Sequence, residues 1–145
     1  REYDLFLLDD CAQSFGGSYH GRNLGGEAVA STLSFFPSKP LGGYGDGGAI
    51  LTDDAERAEL YRSLRTHGEG KTRYEVLRTG MNGRLDTLQA AVLLAKLDGF
   101  KEELARRDAI AQAYDAGLKD VVQVPTRVPD SQSAWAIYAI LFLDS

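Results

Sequence analysis

The sequence contains little cysteine, no long apolar run and no excess of positive charge. Its single cysteine, Cys11, cannot form an intramolecular disulfide, and no apolar run approaches the roughly 18 residues that a membrane span needs. The formal charge of −5 gives no general attraction for nucleic acid or anionic membranes. We therefore expect a cytoplasmic protein without nucleic-acid or membrane partners, in which any phosphate site is a local feature.

What is present is the composition of a globular domain: 145 residues, of which 43% are hydrophobic and 26% charged. The chain opens with REYDLFLLDD and closes with AWAIYAILFLDS, two strand-like segments, and it has neither an initiator methionine nor a signal peptide. A strand without neighbours exposes unpaired backbone groups. We therefore expect this chain to be an internal piece of a longer protein.

Three segments have the composition of strands, being apolar, rich in β-branched or aromatic residues and bounded by glycines or acids. They cover residues 3–9, 28–36 and 48–52. Strands that alternate with helices favour an open α/β sheet, in which ligands bind beyond the carboxyl ends of the strands. Asp10, Ser34 and Lys39 follow such ends and are the first candidates for a site.

Helical spacing of apolar residues predicts three helices. They cover residues 53–68, 83–99 and 100–118. Asp53 and Glu56 are predicted to form a capping box at the start of the first of these helices. A proline-bearing linker and a last strand at 134–143 follow. The helix pair is expected to connect an α/β unit, residues 1–95, to a second unit that begins within 96–145.

Lys39 stands between a predicted strand and the loop GGYGDGG. Glycine is costly in backbone entropy and is kept where the chain takes unusual dihedral angles or where another group approaches closely. A buried lysine at a strand end can supply a neutral amine that condenses with an aldehyde, and pyridoxal 5′-phosphate is the common aldehyde cofactor. Asp10 is then the candidate partner of the pyridine nitrogen, and Ser34 with the glycine loop could bind the phosphate.

Several ordered motifs run along nearly the whole chain, among them DDCAQ, SFFPSKPLGGYGDGG and NGRLDTLQAA. Together they resemble the DegT/DnrJ/StrS family of sugar aminotransferases. The resemblance implies an α/β fold, as a fragment of a fold-type I, aspartate aminotransferase-like enzyme. Residues 1–95 would be the C-terminal part of the cofactor-binding large domain, and residues 96–145 the connecting helix and the beginning of the small domain.

The same resemblance implies a role for five residues. Lys39 is implied as the lysine that binds pyridoxal 5′-phosphate as a Schiff base and moves protons during the reaction. Asp10, which the motif register favours over its neighbour Asp9, pairs with the pyridine nitrogen, and Gln13 lies near the phenolic oxygen. The remaining two are phosphate ligands: Ser34 within the subunit and Asn82 across a homodimer interface. From the residues alone, Asn82 could equally be a helix N-cap.

The implied activity is transfer of an amino group from an amino acid, habitually glutamate in this family, to a nucleotide-linked keto-sugar. Such reactions serve cell-surface polysaccharide biosynthesis, including lipopolysaccharide or O-antigen, and amino-sugar biosynthesis. A sugar dehydratase of the same fold is one alternative, although a histidine replaces Lys39 in dehydratases, and a truncated or non-catalytic relative is another. His20 and His67 lack metal-ligand spacing, so no metal is expected.

Two positions depart from the family pattern. Cys11 stands where alanine is commoner, and Ala136 stands where many members have histidine. With alanine at position 136, the sequence resembles family members that act on UDP-linked sugars. The family's aromatic residue that stacks on the cofactor ring, and further phosphate contacts, lie in parts of the large domain that this sequence does not include.

Overall fold

Residues 3–72 and 74–142 are described by the computed structural model, and they form eight short strands and three helices. The strands are β1 (Leu8–Asp10), β2 (Ser18–Tyr19), β3 (Arg22–Asn23), β4 (Ala30–Ser34), β5 (Gly48–Leu51), β6 (Val122–Gln123), β7 (Ser131–Gln132) and β8 (Leu141–Phe142). The helices are α1 (Ala55–Arg65), α2 (Thr87–Asp98) and α3 (Phe100–Leu118). Within this described part, none of the helices has the length and apolarity to cross a membrane.

A mixed sheet in the order β1-β4-β5 carries the predicted site. β1 runs parallel to β4 with Asp10 opposite Thr32, whereas β5 is antiparallel to β4 with Ile50 opposite Thr32. The predicted strands 28–36 and 48–52 are confirmed in shorter form as β4 and β5. Of the predicted strand 3–9, only Leu8 and Asp9 belong to β1, which ends at Asp10. The loop between β4 and β5 reverses the chain, so β5 is antiparallel to β4.

The first helix is capped by a different acid from the one predicted. Asp54, not Asp53, is the N-cap, and its Oδ1 accepts hydrogen bonds from the N–H groups of Glu56 (2.9 Å) and Arg57 (3.1 Å). Its Oδ2 also accepts a bond from the Arg57 guanidinium at 2.9 Å. These contacts, with the hydrogen bond to Arg57 N–H as the largest cause, lower the pKa of Asp54. The predicted Asp53 capping box is therefore wrong by one residue.

The second helix starts later than predicted, at Thr87 rather than directly after Asn82. The N–H groups of Met81 and Gly83 donate to carbonyl oxygens at the end of α1, each at 2.8 Å. This pairing uses the backbone that would otherwise begin the helix. Asp86 occupies the N-cap position, so Asn82 is not a helix cap.

The predicted last strand, 134–143, is mostly wrong. Only β8 is extended and paired there, and Leu143 lies outside the described residues. Trp135 has a φ of 48°, which belongs to the left-handed region and is incompatible with a strand. Its indole Nε1–H donates to Asp108 at 2.9 Å, and the Tyr138 hydroxyl donates to Asp115 at 2.7 Å. The apolar pattern in this segment therefore reflects packing on α3 instead of sheet pairing.

A small hydrophobic core joins the helices α2 and α3 to the loop after β4. Leu41, Leu93 and Phe100 are buried against one another. Phe15, from the turn after β1, stacks on Phe100 with ring centroids 5.3 Å apart. The chain segments that follow β1 and β4 are thereby fixed to the same core.

A polar cluster ties the linker after α3 back to that helix. Arg127 donates to Asp108 at 2.9 Å and to Asp115 at 2.7 Å. The bond from Arg127, followed by that from Trp135, lowers the pKa of Asp108, and the bond from Tyr138, followed by that from Arg127, lowers the pKa of Asp115. Desolvation of the phenol, followed by its hydrogen bond to Asp115, raises the pKa of Tyr138 to about 12.

The raised pKa makes a pH-dependent prediction for the Tyr138→Phe variant. Because the folded state holds the phenolic proton more tightly than the unfolded chain, Tyr138 stabilises the fold below its ordinary pKa of 10.0, and this contribution is lost as the pH rises towards about 12. We expect the melting temperature of the whole protein to fall more steeply over this window than that of Tyr138→Phe. Tyr114→Phe is the matched control, since its ring packs on Tyr138 at 5.1 Å. Equal pH profiles for Tyr138→Phe and the parent would contradict the prediction.

Candidate active site

Asp10 lies at the carboxyl end of β1 and faces β4. Its Oδ1 accepts a hydrogen bond from the N–H of Ala12 at 3.0 Å and one from the Thr32 hydroxyl at 3.4 Å. Side chains two residues apart in a strand share a face. Ser34 is therefore on the same face of β4 as Thr32, and the sheet brings Asp10 and Ser34 to one edge.

Asp9 points to the other face and has a different partner. Its Oδ2 accepts a hydrogen bond from the Cys11 thiol at 3.2 Å. Cys11 is buried, and burial is the largest cause that raises the pKa of its thiol. The geometry thus separates the two neighbouring acids: Asp9 serves local packing, and Asp10 is presented at the strand end.

Lys39 follows Ser34 through a tight turn. The Ser34 hydroxyl accepts a hydrogen bond from the N–H of Phe36 at 3.4 Å, and the N–H of Lys39 donates to the Phe36 carbonyl at 2.9 Å. The turn holds half-buried Lys39 near the end of β4. Within the described residues, no hydrogen bond or ion pair engages its amine.

The other two predicted residues lie in different surroundings. Gln13 is exposed in the turn after β1, where the N–H groups of Ser14 and Phe15 donate to the Cys11 carbonyl at 3.2 Å each. Asn82 forms a β-bridge with Thr66 just after α1, and its side-chain oxygen accepts a bond from Arg84 at 2.9 Å. No contact within the described ranges joins Asn82 to the other four residues.

The glycines after Lys39 permit close packing within the chain. A Cβ added to Gly48 would lie 2.6 Å from the Leu33 carbonyl oxygen, and one added to Gly47 would lie 2.8 Å from Leu85. A Cβ on Gly42 would overlap the Pro37 carbonyl oxygen. None of these glycines has a positive φ, so close approach, and not an unusual dihedral angle, explains them.

Two functional candidates were not predicted from the sequence. Gln89 Oε1 accepts a hydrogen bond from the Tyr44 N–H at 2.7 Å, and Lys96 Nζ donates to the Gly42 carbonyl at 2.6 Å. Both residues lie on α2 and contact the glycine loop. Their spacing of seven, with Leu93 between them, is a one-face helical pattern that could have indicated a shared contact surface.

The described ranges, 3–72 and 74–142, contain no metal cluster, and their cavity lies apart from the predicted cofactor residues. No group of three histidine, cysteine or acidic residues there could hold a metal ion. A cavity of about 910 Å³ lies between α1 and the strands β4 and β5, and its lining includes Thr32, Ile50 and Tyr61. None of the five predicted cofactor residues lines this cavity.

The sequence model of the DegT/DnrJ/EryC1/StrS aminotransferase family matches residues 1–145. The chain belongs to this family. It is 46% identical over 140 residues to the UDP-2-acetamido-2-deoxy-3-oxo-D-glucuronate aminotransferase of Pseudomonas aeruginosa, covering 96% of this chain and 39% of the relative. To the dTDP-3-amino-3,4,6-trideoxy-alpha-D-glucose transaminase of Streptomyces venezuelae it is 37% identical over 140 residues, covering 95% of this chain and 37% of the relative.

Solved structures agree with this membership. A DegT DnrJ EryC1 StrS aminotransferase from Brucella abortus superposes with a TM-score of 0.90 at 50% identity, over 94% of this chain and 36% of that one. DesV of S. venezuelae gives a TM-score of 0.91 at 37% identity, over 96% and 38%. The fold is that of part of a fold-type I enzyme, and the chain spans well under half the length of these relatives.

Enzymes of the family depend on pyridoxal 5′-phosphate, and the strand-end residues have the chemistry to hold it. The amine of Lys39 can bind an aldehyde. The Oδ1 of Asp10 is engaged by the Thr32 hydroxyl and the Ala12 N–H, while no described contact occupies its Oδ2. One carboxylate oxygen thus fixes the orientation of the side chain, and the other is open to a protonated ring nitrogen.

The packing of the glycine loop predicts opposite effects for two glycine-to-alanine substitutions. Gly42→Ala should lower the free energy of unfolding by about 1–3 kcal/mol, because the new methyl overlaps the Pro37 carbonyl. Gly117→Ala, in α3, has no atom within 4 Å of the added Cβ and should be neutral or stabilising by about 0.5–1 kcal/mol. Urea unfolding of the whole protein measures both. A Gly42→Ala protein as stable as Gly117→Ala would contradict the packing argument.

Proposed function

We propose that the whole protein is a pyridoxal 5′-phosphate-dependent aminotransferase that transfers an amino group from an amino acid, with glutamate as donor, to a nucleotide-linked keto-sugar. The observation that carries the proposal is that Asp10 ends β1 and that Lys39 lies in the turn after the adjacent parallel strand β4. The names of the relatives support the substrate class. A cytoplasmic enzyme of cell-surface polysaccharide, such as lipopolysaccharide or O-antigen, or of amino-sugar biosynthesis fits this activity.

The bound cofactor supplies an electron sink for negative charge that develops on the donor's α-carbon. Asp10 Oδ2 would accept a hydrogen bond from the protonated pyridine nitrogen, which would keep that sink effective. The Ser34 hydroxyl would donate to the phosphate, and Gln13 would contact the phenolic oxygen. Lys39 Nζ would hold the cofactor through its aldehyde and would serve as the base and acid that moves a proton to and from the donor's α-carbon.

A homodimer with shared active sites is part of the proposal. Asn82 lies next to Met81, which is 68% exposed, and α2 presents Leu88 and Leu94 with exposed fractions of 80% and 66%. Exposed large apolar side chains near Asn82 and along α2 are available for contact with another chain. We assign this surface to a second copy, whose phosphate site then receives Asn82.

The division into residues 1–95 and 96–145 is also proposed, as the end of the large domain and the start of the small one. The boundary falls in the last turn of α2, so most of α2 lies in the first unit and α3 lies in the second. Phe100, at the start of α3, packs on Leu41 and Leu93, and this contact anchors the connecting helix to the large domain.

Removal of the Lys39 amine tests the activity. In the whole protein, Lys39→Ala should abolish the visible absorption band that the cofactor gains on binding a lysine, and transamination should fall by about 10²–10⁴-fold. Lys101→Ala, an exposed lysine of α3, is the matched control and should change neither quantity. Full turnover by Lys39→Ala would refute the proposal.

Transfer of ¹⁵N from labelled glutamate to a panel of UDP- and dTDP-linked keto-sugars separates an aminotransferase from a dehydratase. A product without ¹⁵N favours the dehydratase. The UDP preference suggested by Ala136 stays a prediction that the same panel checks.

Mixed dimers test whether Asn82 acts across the interface. Lys39→Ala and Asn82→Ala subunits are each impaired as homodimers, but their heterodimer has one site with both an intact Lys39 and the partner's intact Asn82. Random mixing should therefore restore about one quarter of the wild-type activity in a symmetric dimer. If Asn82 acts within its own subunit, mixing restores nothing above the average of the two homodimers, and the shared-site proposal fails.

A further inference from the structure

One face of α2 is turned towards the loop that follows Lys39. Gln89, Leu93 and Lys96 are spaced by four and three residues, so they lie on the same side of the helix. Leu93 is buried against Leu41, the second residue after Lys39. The two polar residues of this face lie on either side of that apolar contact along the helix.

Gln89 binds the loop through its amide. Its Oε1 accepts the hydrogen bond from the Tyr44 N–H at 2.7 Å, which provides a partner for a backbone group outside any strand or helix. A Cβ on Gly43 would lie 3.0 Å from Gln89 Oε1, and one on Gly45 would lie 3.1 Å from Gln89 Nε2. The glycines on both sides of Tyr44 therefore leave the space that the Gln89 amide fills.

Lys96 binds the same loop at Gly42, which is nearer to Lys39 in sequence than the Tyr44 contact of Gln89. Its Nζ donates to the Gly42 carbonyl at 2.6 Å and lies 5.4 Å from the centroid of the Tyr44 ring. A cation at this distance is attracted to the ring face. Together with the Leu41 contact, these bonds fix the loop at three positions between residues 41 and 44.

These contacts restrict the backbone on the C-terminal side of Lys39. On the other side, the Lys39 N–H is bound to the Phe36 carbonyl at 2.9 Å. Pro40, which is buried, separates Lys39 from Leu41 and has a fixed φ. The backbone of Lys39 is thus held between the turn after β4 and the anchored loop.

We infer that Gln89 and Lys96 are positioning residues that hold the Lys39 backbone in place for reaction, an inference whose catalytic part rests on the proposed function. Neither side chain needs to touch the cofactor or the substrate. They act through the loop, by setting where the Lys39 amine can reach. A displacement of a reacting group by about 1 Å can cost 10²-fold in rate.

The first measurement needs no cofactor. Hydrogen–deuterium exchange is followed in the cofactor-free whole protein for peptides that cover residues 39–47. Gln89→Leu and Lys96→Met should each raise exchange in this loop by about tenfold or more, because each removes a contact that closes it. Gln89→Glu, which keeps an acceptor oxygen, and Lys96→Arg, which keeps a donor, should restore most of the protection. Lys101→Met is the control and should leave the loop unchanged.

The second measurement links the loop to the chemistry. In the cofactor-loaded protein, Gln89→Leu and Lys96→Met should lower kcat by about 10–100-fold with little change in KM, and should shift the pH at which the visible band titrates. The conservative variants should recover both quantities. If Gln89 and Lys96 only stabilised the fold, their substitution would lower the melting temperature without moving the pH of that titration.

The outcomes separate this inference from the proposed function. Unchanged loop exchange in both Gln89→Leu and Lys96→Met overturns it, and so does faster exchange accompanied by wild-type kcat and an unshifted titration. If Lys39→Ala keeps full activity, the proposed function fails, while the exchange data still decide whether α2 holds the loop. Exchange in α3 reports global unfolding. If one of the two variants, Gln89→Leu or Lys96→Met, unfolds, the other variant decides the test.

Discussion

The contact of Leu41 with Leu93 and Phe100 is the interaction on which the candidate site depends. Burial of side chains of this size stabilises a fold by about 1.5–3 kcal/mol each. Leu41 belongs to the loop after Lys39, whereas Leu93 and Phe100 belong to two successive helices. Phe15 stacks on Phe100 from the turn after β1. A single apolar contact therefore determines where the Asp10 segment and the Lys39 segment lie relative to the helices.

The glycine loop shows how that core is used. A short loop can follow the surface of α2 only where its backbone approaches the helix closely, and Gly43 and Gly45 allow this approach at the Gln89 amide. At Gly42, the approach is to the chain's own Pro37 carbonyl. The sequence indicated that these glycines serve either unusual dihedral angles or the close approach of another group. It could not indicate that the partner is a helix about forty residues later, because spacing along the chain carries no information about contacts across the fold.

The limits of the sequence reasoning have local physical causes. The strands β4 and β5 were predicted because their runs are rich in β-branched or apolar residues and bounded by glycine or acids, whereas the two-residue strands β2, β3, β6 and β7 are too short to leave such a pattern. The α1 start was wrong by one residue because Asp53 and Asp54 can both cap, and only the backbone geometry decides between them. The predicted strand at 134–143 failed because Trp135 and Tyr138 make contacts to α3 carboxylates, and an apolar, aromatic run does not by itself distinguish a strand from a segment packed on a helix.

The exposure of the candidate site means that the proposed chemistry would need further surfaces to cover it. Asp10 and Gln13 are exposed, and Lys39 is only half-buried, yet proton transfer at a carbon atom needs water excluded from the reacting groups. The strands β1 and β4 and the helix α2 fix where these candidate residues lie, but they cover the site from one side only. The longer chains of the relatives have residues for further walls, and a second subunit that contributes Asn82 would close the phosphate end. Rigid placement by the Leu41 core is what allows such separate parts to meet the same Lys39 amine.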